Sequence, residues 1–371
     1  MKYAVVGFGT AGYHAVKKIR ELDKEGCIDV YSNTERAPYN PMLTTYYAFG
    51  KLEYEGMFPF GDLEQIQKEV DFNLRKETVI KVHGSEHLVE TENGSEQYDR
   101  ILIATGARAF APPVKGLEPE DAFLMRTVED ALRFKDRLKK NDIKHAVVIG
   151  ASMAGIKVVE VLHKYGIETW LLDLASYIFP LAAYKEVAKE IEKRVEAQGV
   201  HLMFGVTIDH MEQENGEKTA VLTDGSRIPA DIVGLCIGTR AITDTVQGEV
   251  EIGRGIVVDD HMRTSVPGIY AAGDCCEGNN LESGQNQIIG LWANANHQGE
   301  TAGINMAGGD MAYKGNILHN ITHFMNMDFI GFGDNRMQGE VLEYGSLSED
   351  LYIRLVLDGK RIVGANILDN Y

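Results

Sequence analysis

The sequence predicts an α/β protein built from two dinucleotide-type βα units, one inserted in the other. Three observations carry that expectation. The chain opens on a short apolar strand, Tyr3–Ala4–Val5–Val6, that runs into Gly7–Phe8–Gly9–Thr10–Ala11–Gly12 and then a helical pattern. A second apolar strand, Ala146–Val147–Val148–Ile149, runs in the same way into Gly150–Ala151–Ser152–Met153–Ala154–Gly155. Two further apolar strands end in small residues. Ile101–Leu102–Ile103–Ala104 leads to Thr105–Gly106, and Ile232–Val233–Gly234–Leu235–Cys236–Ile237 leads to Gly238–Thr239.

In the first turn each glycine has its own reason. The first permits the tight turn and the second lets the backbone approach a diphosphate. The third lets the helix pack close to the strand, with the diphosphate at the helix N-terminus. A helix is expected over Tyr13–Lys24, where Ala15, Val16, Ile19 and Leu22 fall at helical spacing, and Gly26 stops it. Ile28–Asp29–Val30–Tyr31 is then a second strand, and an acid is expected at its end to hold an adenosine ribose. Ser32 stands there and the nearest carboxylate is Glu35, so both are ribose candidates. Ala37–Tyr47 is a loop entering a helix. From Val70 to Asp99 apolar and polar residues alternate around turn signals at His83–Gly84 and Asn93–Gly94, which predicts inserted antiparallel strands.

Pro112–Pro113 to Pro119 is expected to be a linker, and Val128–Lys140 a helix whose lysines and arginines form a solvated face. In the second turn Ser152 replaces the middle glycine, so this copy is degenerate. Its support is context: a strand before, a helix after, then a strand Glu168–Leu172 ending in Asp173. Asp173 lies 23 residues beyond Gly150, near the separation of about 20 at which a carboxylate meets ribose hydroxyls. Such a group accepts hydrogen bonds from a free 2′-hydroxyl and repels a 2′-phosphate, which favours NADH over NADPH. Gly150, Ser152, Met153, Ala154, Gly155, Asp173 and Gly238 are the candidate NAD-binding residues. A helix over Lys185–Gln198 and a strand pair around Asp224–Gly225 complete the inserted unit.

The 371 residues suffice for two or three domains. Hydrophobic content of 44% and charged content of 25% are those of an ordinary globular chain. Acidic residues outnumber basic ones 55 to 37, giving a net charge of −18. Such a surface repels nucleic acid and anionic membranes. No signal peptide is expected, because the first strand begins by Tyr3, and charge or glycine breaks every long apolar run. Cys27, Cys236, Cys275 and Cys276 form no CxxC or CxxxxC, which argues against structural zinc, an iron–sulfur cluster and a secreted disulfide framework. No metal site and a cytoplasmic location are the expectations.

The segment Thr264–Ser265–Val266–Pro267–Gly268–Ile269–Tyr270–Ala271–Ala272–Gly273–Asp274, with both glycine turns and both small-residue strand endings, resembles the pyridine nucleotide–disulfide oxidoreductase superfamily over residues 1 to about 330. The resemblance implies two Rossmann-like, three-layer ββα domains. An NAD-binding domain (111–240) would be inserted in an FAD-binding domain (1–110 and 241–320), followed by a small C-terminal α+β interface domain (321–371), shorter than the family's usual dimerisation domain. It implies that the opening turn cradles FAD. Gly7, Gly9, Thr10, Ala11, Gly12, Ser32, Glu35, Pro41, Val79, Thr105, Gly106, Gly273, Asp274, Trp292 and Ala295 are the FAD candidates, with Asp274 taking the ribityl chain. Trp292–Gly299 looks like the family helix whose N-terminus faces the flavin pyrimidine, and His297 on it is given a structural role before a proton-donating one.

Departures from the family pattern narrow the branch. Pro38–Tyr39–Asn40–Pro41–Met42 aligns with a segment that carries a redox cysteine in CoA disulfide reductases and NADH oxidases, and Met42 holds the cysteine position. A thioether forms neither a thiolate nor a mixed disulfide. The chain is then similar to rubredoxin and ferredoxin reductases and to the flavoprotein part of nitrite reductases. The function this implies is transfer of a hydride from NADH to FAD and of electrons to a carrier or iron–sulfur subunit. Alternatives are an oxygen-reducing NADH oxidase and a non-catalytic NADH-sensing subunit. A homodimer or a place in a complex would cover the small C-terminal domain. Where family members carry a glutamate after the second turn this chain has Lys157, a candidate positive charge beside the flavin; the alternative is an exposed helix lysine. Cys275–Cys276 is expected to be packing.

Overall fold

A computed structural model describes residues 1–370. They fall into two compact units. The first comprises Met1–Asn40, Glu55–Arg108 and Arg240–Ile317, and the second Pro41–Tyr54, Ala109–Thr239 and the chain from Leu318 onward.

In the first unit a parallel sheet has the strand order Ile269–Ala271, Arg100–Ile103, Lys2–Val6, Cys27–Tyr31, Asn73–Arg75. Tyr3 to Val6, Ile101 to Ile103 and Ile269 to Ala271 are buried, as strands covered on both faces require. Register aligns Val6 with both Tyr31 and Ile103, and Ile103 with Ala271. The residues that follow, Gly7, Ser32, Ala104 and Ala272, therefore share the carboxyl edge of the sheet. Helix α1 (Thr10–Leu22) leaves the first turn and packs along the long C-terminal helix of this unit (Trp292–Met306). A Cβ at Gly299 would meet the Ala11 backbone, and one at Gly303 the Ala15 backbone, so the two helices touch main chain to main chain. An antiparallel sheet of Val79–His83, Leu88–Thr91 and Gly94–Gln97 is inserted, as the alternating pattern predicts.

The second unit repeats the plan with the order His201–Phe204, Glu168–Asp173, His145–Ile149, Ile232–Leu235, Ala122–Phe123, again parallel. Ile149 pairs with Leu172 and Leu235, which sets Gly150, Asp173 and Cys236 at one edge. The charged helix spans Val128–Lys139 under a Thr127–Asp130 capping box. Its cations are held locally: Lys139 pairs with Asp136, Arg137 with Asp142, and Lys135 donates to the Tyr47 carbonyl. Pro41–Tyr54, which the sequence leaves in the first domain, clusters here because the helix Leu43–Phe49 packs on Val128–Lys139 and on the helix Met153–Lys164. The C-terminal segment is expected to be α+β. Its described residues form strands only, in an antiparallel sheet ordered His319–Phe324, Met327–Gly333, Arg361–Asn370, Leu351–Asp358, Glu340–Gly345. Asn366 is fully buried and ties that sheet to the loop that leads into the helix Lys185–Ala197, accepting from the Tyr184 amide at 2.7 Å and donating to the Ala182 carbonyl at 2.9 Å. Among the described residues no helix is long and apolar enough to cross a membrane.

Lys157 departs from the exposed-lysine alternative: it is buried. Its ammonium donates to Glu160 and to the His323 carbonyl (2.6 Å), and lies 4.5 Å from the centre of the Tyr46 ring. Glu160 in turn accepts from the Met325 amide at 3.1 Å and faces Lys51 at 3.3 Å. The pair thus clamps the two-residue hairpin Met325–Asn326, whose φ of 47° and 62° are those of a type I′ turn. Burial pulls the Lys157 pKa down. Burial also pushes Glu160 up, but Lys157, the Met325 amide and Lys51 outweigh it and hold that carboxyl below its ordinary range.

Two stability measurements check this packing. Gly303→Val should cost about 1–3 kcal/mol in denaturant unfolding, as overpacked interiors do. Glu160→Ala should cost about 3–5 kcal/mol by leaving a buried ammonium without its counter-charge, whereas Lys157→Met with Glu160→Leu should cost less, its remaining penalty coming from the Met325 amide and His323 carbonyl that lose their partners. A carboxyl with a lowered native pKa stabilises above its unfolded value of 4.5. The clamp's contribution should therefore be complete at neutral pH and fade only as pH falls below about 4.5, and Glu160→Gln should flatten that acid limb.

Candidate functional site

At the first turn the Gly7 amide donates to the Tyr31 carbonyl at 2.9 Å, and φ is 102°. A Cβ there would strike the Ala104 carbonyl, and one at Gly12 would strike the Gly7 carbonyl. Gly9 differs. A Cβ on it meets nothing within 4 Å, and as N-cap of α1 it offers no side chain to the first amides. The turn therefore combines open space with an uncapped helix start, which suits a diphosphate. Thr10 and Ala11 open the helix, and the Thr10 hydroxyl bonds Asn296. Gly273 comes against Ala11 and Ala295, and its amide donates to Gln298 at 2.9 Å. Asp274 follows it, half-buried.

The neighbouring strand end is tied down too. The Thr105 hydroxyl donates to the Ile242 carbonyl at 2.6 Å, and the Gly106 carbonyl accepts from the Ile242 amide at 2.9 Å. Trp292 opens its helix and stacks on Phe60, with ring centres 5.8 Å apart, and Phe60 stacks on Tyr13 at 4.3 Å. Its indole Nε1 is buried with no protein acceptor. An uncapped helix start, an open Gly9 and an orphaned indole donor fit a large polar cofactor on this edge. Of the ribose candidates, Ser32 lies at the edge and bonds Thr34, while Glu35 is exposed and paired with Lys76 at 2.7 Å. Val79 begins the inserted antiparallel sheet, and Pro41 sits in the second unit, where its carbonyl accepts from Thr44 at 2.7 Å.

The second turn is cut from the same mould. Gly150 has a φ of 105° and donates to the Leu172 carbonyl at 2.7 Å. A Cβ on it would strike the Cys236 carbonyl, and one on Gly155 the Gly150 carbonyl. Met153 and Ala154 begin the helix, and the Gly238 carbonyl accepts from the Phe110 amide at 2.9 Å. Asp173 accepts from the Ala151 amide at 2.7 Å and the Ala175 amide at 2.8 Å. Two amides leave a carboxylate with acceptor capacity for ribose hydroxyls. Ser152 caps the helix, accepting from the Gly155 amide at 3.3 Å while donating to the Cys236 carbonyl at 3.1 Å.

Thiols do not gather at either turn as nucleophiles. Cys236 is buried and its thiol is pushed up to about 12 by burial. Cys275 and Cys276 are fully buried, with sulfur against the carbonyls of Ile103, Ala272 and Gly273. Met42, by contrast, is 55% exposed. His297 is exposed too. The sequence reading missed Gln298, Asn296 and Ile242, which hold Gly273, Thr10 and Thr105, and the Phe60–Tyr13 stack. It also missed Gly303, although a small residue four positions after Gly299 is a readable sign of close helix contact.

The family model for pyridine nucleotide-disulphide oxidoreductases matches residues 1–299. The epsilon subunit of an NADH-dependent phenylglyoxylate dehydrogenase from Aromatoleum evansii is 28% identical, over 92% of this chain and 82% of that protein. The ferredoxin–NAD(+) reductase component of a 3-phenylpropionate/cinnamic acid dioxygenase from Photorhabdus laumondii is 27% identical, over 82% and 77%. A water-forming NADH oxidase from Lactobacillus brevis, solved with NADH bound, superposes with a TM-score of 0.92 at 24% identity, covering 100% of this chain and 87% of that one. The chain belongs to the pyridine nucleotide-disulphide oxidoreductase family, whose members are FAD-dependent oxidoreductases that take NADH or NADPH.

Proposed function

We propose that this chain is an NADH:acceptor oxidoreductase that holds FAD at the first turn, takes NADH at the second, and delivers electrons to a protein carrier of the ferredoxin or rubredoxin kind or to an iron–sulfur subunit. The observation that carries the acceptor is Met42. The position where relatives with thiol chemistry place a cysteine is a solvent-facing thioether, and three of the four thiols are buried. With no thiolate to relay them, electrons pass from the cofactor directly to a partner. The relatives named for a dehydrogenase subunit and for ferredoxin reduction favour the same reading.

Each residue then has a task. Gly9 and the α1 amides hold the FAD diphosphate, Asp274 orients the ribityl chain, and Thr105 and Gly106 border the ring. The unblocked first turn at Trp292 favours negative charge nearby. FAD, when bound, supplies a two-electron acceptor for hydride that can release electrons onward. Asp173 selects NADH by accepting from its ribose hydroxyls. Four unpaired thiols suit a reducing, cytoplasmic setting.

Anaerobic stopped-flow mixing with NADH tests the core of the reading: rapid bleaching of the flavin absorbance is expected, and nucleotide binding without bleaching would sink it in favour of a sensor. Added ferredoxin should then be reduced faster than oxygen is consumed; the reverse order would identify an oxidase. Asp173→Ala with Leu174→Arg should weaken NADH by about tenfold, one to two lost hydrogen bonds, and strengthen NADPH.

A further inference from the structure

The two glycine turns of this chain are internal controls for one another. Both first glycines donate to a carbonyl at the carboxyl end of the adjoining strand, Gly7 to Tyr31 and Gly150 to Leu172. Both third glycines press on the carbonyl of the first. Even the middle residues share a backbone shape: Gly9 has φ −81° and ψ −167°, Ser152 φ −94° and ψ 176°. Serine is therefore not at 152 for conformational reasons. What it adds is a hydroxyl that occupies the Gly155 amide and is itself anchored on the Cys236 carbonyl. The first turn has no counterpart to this cap.

We propose that Ser152 is an affinity-setting residue, whose hydroxyl satisfies the helix start in the nucleotide-free protein and must give way when the diphosphate arrives. Binding at this turn exchanges a protein hydrogen bond for a ligand one, whereas binding at the first turn gains bonds for a helix start that no side chain caps. The side chain also takes the place where the absence of one would let the backbone approach the ligand most closely. The result is a second turn that releases its nucleotide after each turnover, beside a first turn that retains its own. This inference rests on the assignment of the pyridine nucleotide to the second turn.

The test is equilibrium titration of the flavin-loaded enzyme with NAD+, followed by protein fluorescence, with dissociation measured by stopped-flow displacement. Ser152→Gly should tighten binding about fivefold, the scale of one net hydrogen bond, and slow release in proportion. Ser152→Ala should tighten it in the same direction, since it removes the hydroxyl and keeps the Cβ. An unchanged or weaker affinity in both variants overturns the proposal. Asp173→Ala separates the two levels. If it leaves NAD+ affinity unaltered, the nucleotide is not at this turn and the underlying assignment fails. If it weakens binding while the Ser152 variants do not tighten it, only the role of Ser152 fails. The reciprocal change, Gly9→Ser, has room for its side chain and should lower the flavin-to-protein ratio surviving gel filtration. Full retention would count against the capping argument.

Discussion

The structure depends on one backbone hydrogen bond made twice, from the first glycine of a turn to a carbonyl at the carboxyl end of the neighbouring parallel strand. That bond fixes where the chain leaves the sheet. The leaving carbonyl then lies so close to the third glycine that no Cβ fits between them. Everything at each site edge follows from this placement. The helix start points its amides past the strand ends, and the segments ending in Ile103, Ala271, Asp173 and Leu235 arrive in register beside it. In the first unit the constraint extends to Trp292–Met306, where Gly299 and Gly303 bring that helix onto the backbone of α1, and with it Gln298 and Trp292.

Much of this was legible in the chain because it is local. A strand, a spaced set of glycines and a helical pattern within about 25 residues leave few alternatives. Strand endings such as Thr105–Gly106 and Gly273–Asp274 are readable for the same reason. Asp173 was placed by its separation from Gly150, and the structure puts it against the amide of Ala151.

What the sequence hid is long-range. The burial of Lys157 is one example: beyond Glu160 one turn on, its contacts come from Tyr46 and from His323, 166 positions away. The allegiance of Pro41–Tyr54 to the second unit rests on packing of the short helix Leu43–Phe49, which periodicity over seven residues cannot express. Ser152 reads as a blemish in a motif, since a pattern of glycines records spacing and not which amides a hydroxyl satisfies. Gln298 is a polar residue inside a helix whose partner, the Gly273 amide, lies across the sheet edge.

The clamp of Lys157 and Glu160 on the Met325–Asn326 hairpin carries a consequence for how such chains diverge. A buried charge can be exchanged for an apolar residue at little cost only if its partner changes as well. Either single step strands an ion in the interior, so the sequence path between an ionic and an apolar version of this site runs through a poorly folded intermediate. Positions 157 and 160 are therefore locked as a unit by an energetic barrier on either side. Identity at a position can persist for that reason alone, without any duty toward a ligand.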